Sequence, residues 1–152
     1  MGSLHARYVF LISCVLTGAA FAQAQAARDG KAAIHLAGDG IPKPLSRSAG
    51  SAERGRALMV ERAAANCLLC HAVPGSRVAG NVAPSLAGVA KRLSAAQLRL
   101  RIADIQLVKP DAAMPSYYRI EGLDRVASEY RGKPVLDAQQ VEDLVAYLGT
   151  LR

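Results

Sequence analysis

The sequence predicts an all-α fold, and three observations predict it. Two segments, Ser94-Ala95-Ala96-Gln97 and Asp137-Ala138-Gln139-Gln140, have the reciprocal capping pattern of a helix start, and apolar residues at helical spacing follow each. No stretch of useful length alternates apolar and polar residues as a half-buried strand would. Glycine and proline gather between the periodic segments, where connections belong. With 152 residues, 51% of them apolar, and no internal repeat, the chain suits one domain around one core.

Taken in order, the first element is a leader. Arg7 precedes an uncharged apolar stretch over 8–21, and Ala20-Phe21-Ala22 supplies a small-residue cleavage frame, so 1–22 reads as a secretory signal peptide. The apolar stretch is too short for a comfortable membrane span, which predicts a soluble, exported, periplasmic protein with no span in the mature chain. Reading Leu11-Ile12-Ser13-Cys14 as a lipoprotein box is weaker, because the apolar run before Cys14 is very short and the residues after it stay apolar. With the ordinary cut, Cys67 and Cys70 are the only cysteines left, and no structural disulfide is expected.

Residues 23–50 form a second element. Gly30, Gly38, Gly40, Pro42, Pro44 and Gly50 break it into an extended N-terminal arm, and Ile34, Leu36, Ile41 and Leu45 predict that the arm packs on something. The functional domain covers 51–152. Ser51 caps a helix that places Arg54 at its third position and runs through Ala57, Leu58, Glu61 and Ala65 toward Cys67. After His71, Pro74, Gly75, Gly80, Pro84 and Gly88 mark a loop. Leu98, Ile102 and Ile105 give the helix after Ser94 its apolar face, and 108–136 is mostly loop with short helical turns. The last helix, after Asp137, carries Val141, Leu144, Val145, Leu148 and Leu151 on one face, and the chain is expected to end inside it.

Charge adds a constraint on partners. Nineteen basic residues stand against twelve acidic ones, and the leader removes only Arg7 of its arginines. Arg54, Arg56 and Arg62, then Lys91, Arg92, Arg99 and Arg101, suggest basic faces that favour an acidic protein partner or an anionic substrate. A solvated, solubilising surface is the plainer account of any one of them. Export argues against nucleic acid.

The chemistry concentrates in Cys67-Leu68-Leu69-Cys70-His71. Two thiols three residues apart, followed at once by an imidazole, form the attachment pattern of a c-type haem: each sulfur adds to a vinyl group and His71 ligates iron. A zinc site would need four ligands, and the mature chain offers only these three and the distant His35. A dithiol oxidoreductase would set its cysteines beside a βαβ sheet, and no strands are foreseen. Candidates for the sixth iron position are Met59, Met114, His35 and a lysine. Met59 lies between Leu58 and Val60 in a helix and reads as core, whereas Met114 precedes Pro115 in a loop that the proline stiffens, which suits presentation of one thioether. With His71 and Met114 both on iron, the site would relay electrons and perform no catalysis of its own. The mature chain also has no Phe or Trp and only four tyrosines, so a buried haem would supply the missing bulk.

Beyond the motif, the loop 81–88, Met114-Pro115 and the terminal Val145-Ala146-Tyr147-Leu148 resemble class I cytochromes c, in which helices surround one covalently bound haem c. More narrowly the chain resembles the SoxX family, the small monohaem subunits of SoxAX complexes in thiosulfate-oxidising bacteria. The stretches that carry this likeness include Ala52-Glu53-Arg54-Gly55-Arg56-Ala57, Asn66 to Ala72, Met114-Pro115-Ser116-Tyr117-Tyr118 and Glu129-Tyr130-Arg131-Gly132-Lys133-Pro134. The resemblance implies a heterodimer with a SoxA-like dihaem or monohaem cytochrome. It also implies a SoxYZ carrier whose cysteine receives thiosulfate, and a small acceptor cytochrome. This chain would be the non-catalytic electron-transfer subunit of that L-cysteine S-thiosulfotransferase. Cys67 and Cys70 would attach the haem, with His71 and Met114 as iron ligands. Pro84 would accept the His71 ring N–H, although Ala83 and Ser85 beside it depart from the family's Gly-Pro-Pro. The alternative is a free monohaem electron-shuttle cytochrome c.

Overall fold

A computed structural model describes residues 34–61, 65–78 and 80–152. The signal peptide, Cys14, the first part of the arm and Arg62 lie outside the described residues. Among the described residues four α-helices follow one another: α1 (Ala52–Val60), α2 (Val89–Arg92), α3 (Ala95–Asp104) and α4 (Ala138–Leu148). Three single 3-10 turns lie between them, at Cys67–Leu69, Ile105–Leu107 and Ser128–Tyr130. Among the described residues the only β pairing is an isolated bridge between Ala37 and Gly40, so the all-α expectation holds. No described helix is long and apolar enough to cross a membrane.

The predicted helix starts are where the capping residues put them. Ser51 Oγ accepts from Arg54 N, and both Ser94 with Gln97 and Asp137 with Gln140 complete a reciprocal capping box. Each such cap satisfies amides the first turn would leave unpaired and contributes about 1 kcal/mol. On α4, Val141, Leu144, Val145 and Leu148 are buried, the apolar stripe expected of it, each contributing roughly 1.5–3 kcal/mol of transfer free energy.

α1 lies directly on α4. A Cβ at Gly55 would stand 1.9 Å from the carbonyl oxygen of Asp143, and one at Gly50 would stand 2.1 Å from that of Glu142. Only glycine at these two positions lets the backbones touch, since the obstacle is main chain and cannot move aside as a side chain could. Through its acids the same turn of α4 also receives α3 and the arm and holds α1 a second time. Glu142, 6% exposed, takes a two-pronged bond from Arg99 Nε (2.7 Å) and Nη2 (2.9 Å), and it accepts from the arm at Leu45 N (2.9 Å). Arg99 Nη1 in turn donates to the arm at Ile41 O (2.6 Å). Asp143 accepts from Ser51 N at 2.8 Å, from Arg54 Nε and Nη2 at 2.7 Å each, and from Gln139 Nε2 at 3.0 Å. The described part of the arm is therefore pinned to its own domain, with Ile41 wholly buried and Ile41 N bonded to Ala96 O.

Four expectations need correction. Arg99 is no part of a basic face: it is buried against Glu142, and Arg54 and Arg101 likewise spend their charge on Asp143 and Asp39. α1 stops at Val60 and does not continue into Cys67: Glu61 is already extended (φ −74, ψ 123), its N–H bonding Leu58 O, and Asn66 further on is left-handed (φ 47) beside an Ala65 carbonyl that accepts from the Tyr117 hydroxyl at 2.7 Å. The chain does not end within α4: Gly149 caps it, and Leu151 turns back so that its carbonyl accepts from Ala90 N at 3.1 Å. α2 was not foreseen, being a single short turn entered through left-handed Gly88.

The Asp143 cluster predicts a pH dependence. Burial works against its charge, but the Arg54 guanidinium, the Ser51 amide and the Gln139 amide outweigh it and hold the carboxyl below its ordinary 3.8. A depressed carboxylate stabilises the fold above its unfolded pKa, and that stabilisation fades as pH falls through the folded value. Thermal unfolding followed between pH 7 and pH 2 should show a steep loss of stability below about pH 4. Asp143→Asn should lower Tm at pH 7 by roughly 5–10 °C and flatten that acid slope.

Candidate haem site

Left-handed Asn66, a residue type that tolerates positive φ, reverses the chain just ahead of the motif. The 3-10 turn then closes tightly, with Cys70 N donating to Cys67 O at 3.2 Å and His71 N to the same oxygen at 2.9 Å. The two sulfurs and the imidazole thus leave one turn, although it is an isolated 3-10 turn and not the end of α1. The following loop is laced onto the motif backbone: Ala83 N donates to Cys70 O (2.9 Å), Gly80 N to His71 O (3.3 Å) and Leu86 N to Ala72 O (2.9 Å).

This lacing delivers Pro84 to His71. The Pro84 carbonyl oxygen stands 2.7 Å from His71 Nδ1. A carbonyl can only accept, so Nδ1 carries the proton and the lone pair of the neutral ring is at Nε2, free to face a metal. Ala83 and Ser85, the departures from the family loop, do not prevent this contact.

Neither cysteine is in a disulfide. Burial pushes the Cys67 thiol up to about 11, so it is protonated at neutral pH and unlike the thiolate a dithiol oxidoreductase uses. Burial also raises Tyr117, with both cysteine sulfurs nearby adding to the effect. Tyr117 therefore stands next to the motif, three residues after Met114. Met114 itself is half-buried against the core, Met59 is buried within it, and His35 is exposed on the arm. A hollow of about 470 Å³ opens beside the motif among Leu68, Leu69, Arg77, Val78 and Gly80; Cys67, Cys70, His71 and Met114 are not among the residues that line it.

Two free thiols and an imidazole with one open nitrogen, on a turn flanked by Leu68 and Leu86, are the donor set that covalent haem requires. A family model described as Cytochrome c matches residues 52–152. The chain belongs to the cytochrome c family. Its cofactor is haem c, covalently held. A solved structure, "Crystal structure of SoxXA from P. pantotrophus", contains a chain that is 32% identical, with a TM-score of 0.71 over 78% of this chain and 93% of that one. The likeness to SoxX is thereby borne out. No curated protein matches the chain.

Sequence reasoning missed two residues of the cytochrome's site region. Tyr117 tethers the Met114 loop to Ala65, and Gly80 packs on the backbone of Leu69 and Cys70. A Cβ at Gly80 would stand 2.4 Å from both Cys70 C and Leu69 O, which would push the proximal loop off the motif. Gly80→Ala should therefore lower the yield of haem-loaded protein several-fold, measured as the ratio of Soret absorbance to total protein, and a wild-type ratio would show that the loop can yield there.

Proposed function

We propose that this cytochrome is the electron-transfer subunit of a SoxAX-type complex in the bacterial periplasm. On this reading Cys67 and Cys70 form the two thioethers, His71 Nε2 is the proximal iron ligand and Met114 the distal one. The observation that carries it is the His71 Nδ1 contact with the Pro84 carbonyl, which fixes the ring plane and leaves Nε2 as the only available donor. Haem c would supply a one-electron couple when bound. The protein's part would be to hold the His71 and Met114 donors in place and keep other ligands from the iron, which would favour transfer over catalysis. Catalytic residues are accordingly none.

The partners follow from the likeness to a chain of SoxXA. In this proposal a SoxA-like cytochrome binds this chain, and joining thiosulfate to a SoxYZ cysteine releases two electrons. The chain passes them one at a time to a small acceptor cytochrome. An exported protein fits the leader read at 1–22.

Two experiments test this reading. Met114→Ala should abolish the low-spin spectrum and lower the midpoint potential by on the order of 0.1 V or more, within the ~0.8 V that axial ligands span. An unchanged low-spin spectrum would remove Met114 from the iron and return the sixth position to Met59, His35 or a lysine. Co-expression with a SoxA-like protein should give a stable one-to-one heterodimer on size exclusion. A chain that stays monomeric would favour the free shuttle instead.

A further inference from the structure

We infer that Asp104 is a positioning residue for Met114, acting through the Ser116 hydroxyl and the backbone that follows it. The inference rests on Met114 being the sixth ligand. Asp104 is the last residue of α3, and its carboxylate is 1% exposed. Oδ1 accepts the Ser116 hydroxyl at 2.5 Å. Oδ2 receives no hydrogen bond, its nearest cation being Arg119 Nη1 at 3.3 Å. Arg119 is itself incompletely used, with Nη2 on Gln106 Oε1 and a buried Nε that has no partner. A buried carboxylate with one oxygen unbonded costs free energy that neighbouring donors and cations must offset.

What the charge gains is a grip on both ends of one short segment, Ser116 and Arg119. Between them Tyr117 N donates to Ile102 O at 3.4 Å and Tyr118 N to Ala103 O at 3.1 Å, so the segment lies along the last open carbonyls of α3. The first of these bonds is long, and neither alone would stop the segment from slipping by a residue. The Asp104 contacts set the register. Tyr117 then fastens the segment outward, its hydroxyl to Ala65 O and its carbonyl to Leu136 N at 3.0 Å. Only Pro115 separates Ser116 from Met114, and its ring fixes φ while restricting Met114 to extended backbone. The position of Ser116 is therefore transmitted to Met114 with little slack.

The test uses the ferric, haem-loaded protein and imidazole, which competes with Met114 for iron. Its apparent affinity reports the fraction of molecules in which the methionine has left. Ser116→Ala should bind imidazole about fivefold more tightly, the factor one hydrogen bond confers, and its midpoint potential should fall. Ser116→Thr, which keeps the hydroxyl, should behave as wild type. Asp104→Asn should act in the same direction as Ser116→Ala, and if it does not fold, the serine pair still decides. Asp143→Asn, destabilising but on the α1–α4 seam, should leave imidazole affinity unchanged. Wild-type affinity and potential in Ser116→Ala, or an equal rise in Asp143→Asn, would overturn the positioning role while leaving the ligand reading intact. A low-spin spectrum that survives Met114→Ala would overturn both.

Discussion

Glu142 and Asp143, two adjacent acids in the middle of α4, form the junction on which the rest of the fold depends. Glu142 faces α3 and the arm, binding Arg99 and Leu45, while Asp143 faces α1, binding Ser51 and Arg54. Their backbone carbonyls are also the surfaces on which Gly50 and Gly55 rest. One turn of helix thus receives three other parts of the chain. The Arg99–Glu142 pair is fully buried, and an ion pair in that position contributes little net stability, yet losing either partner would cost about 3–5 kcal/mol because the other charge would remain without compensation. Its effect is therefore on uniqueness of arrangement: α3, α4 and the arm have one mutual register in which both charges are satisfied.

Two of the elements on this seam lead toward the site. α1 ends a few residues before the motif turn, and α3 ends on the segment that follows Met114. Tyr117 closes the circuit by bonding from the Met114 side to Ala65 on the motif side. The loops that carry Pro84 and Met114 are each fastened by backbone hydrogen bonds, in a stretch, 23–152, whose only aromatic residues are tyrosines.

How much of this was legible in the sequence follows from range. The capping boxes at Ser94 and Asp137 and the stripe on α4 depend on residues within one or two turns, and the sequence displays them. The haem motif is equally local. Arg99 looked like one of several basic surface residues because its partner lies 43 positions away, and nothing near it in sequence says that it is inside. The end of α1 is not displayed either: alanine, a strong helix former, occupies 63–65, yet Glu61 is already extended and the Ala65 carbonyl is bonded by a tyrosine 52 positions later. Asp104 at the end of a helix would read as solvated, and only the fold shows it to be buried. Met114 is an intermediate case, since Pro115 marks a stiff loop while the bonds that aim it are tertiary.

The basic excess acquires a different meaning once the arginines are located. Arg54, Arg99, Arg101 and Arg119 pair with Asp143, Glu142, Asp39 and Asp104, so these four bind the fold together and contribute little to an external field. Arg92 is likewise turned inward onto the carbonyls of Ala87 and Ser85, although it remains exposed. The surplus of basic over acidic residues is unchanged by internal pairing, and it must therefore reside on other side chains. Arg56, Arg77 and Lys91 are exposed, and Arg77 lies beside the haem motif with Leu69, Val78 and Val82 also open to solvent around it. Steering by such a field acts over about a Debye length, ~8 Å at physiological salt, so charges near the motif count for an approaching redox partner and distant ones do not. The charge that governs encounter is then set by residues around the motif that the overall balance does not single out.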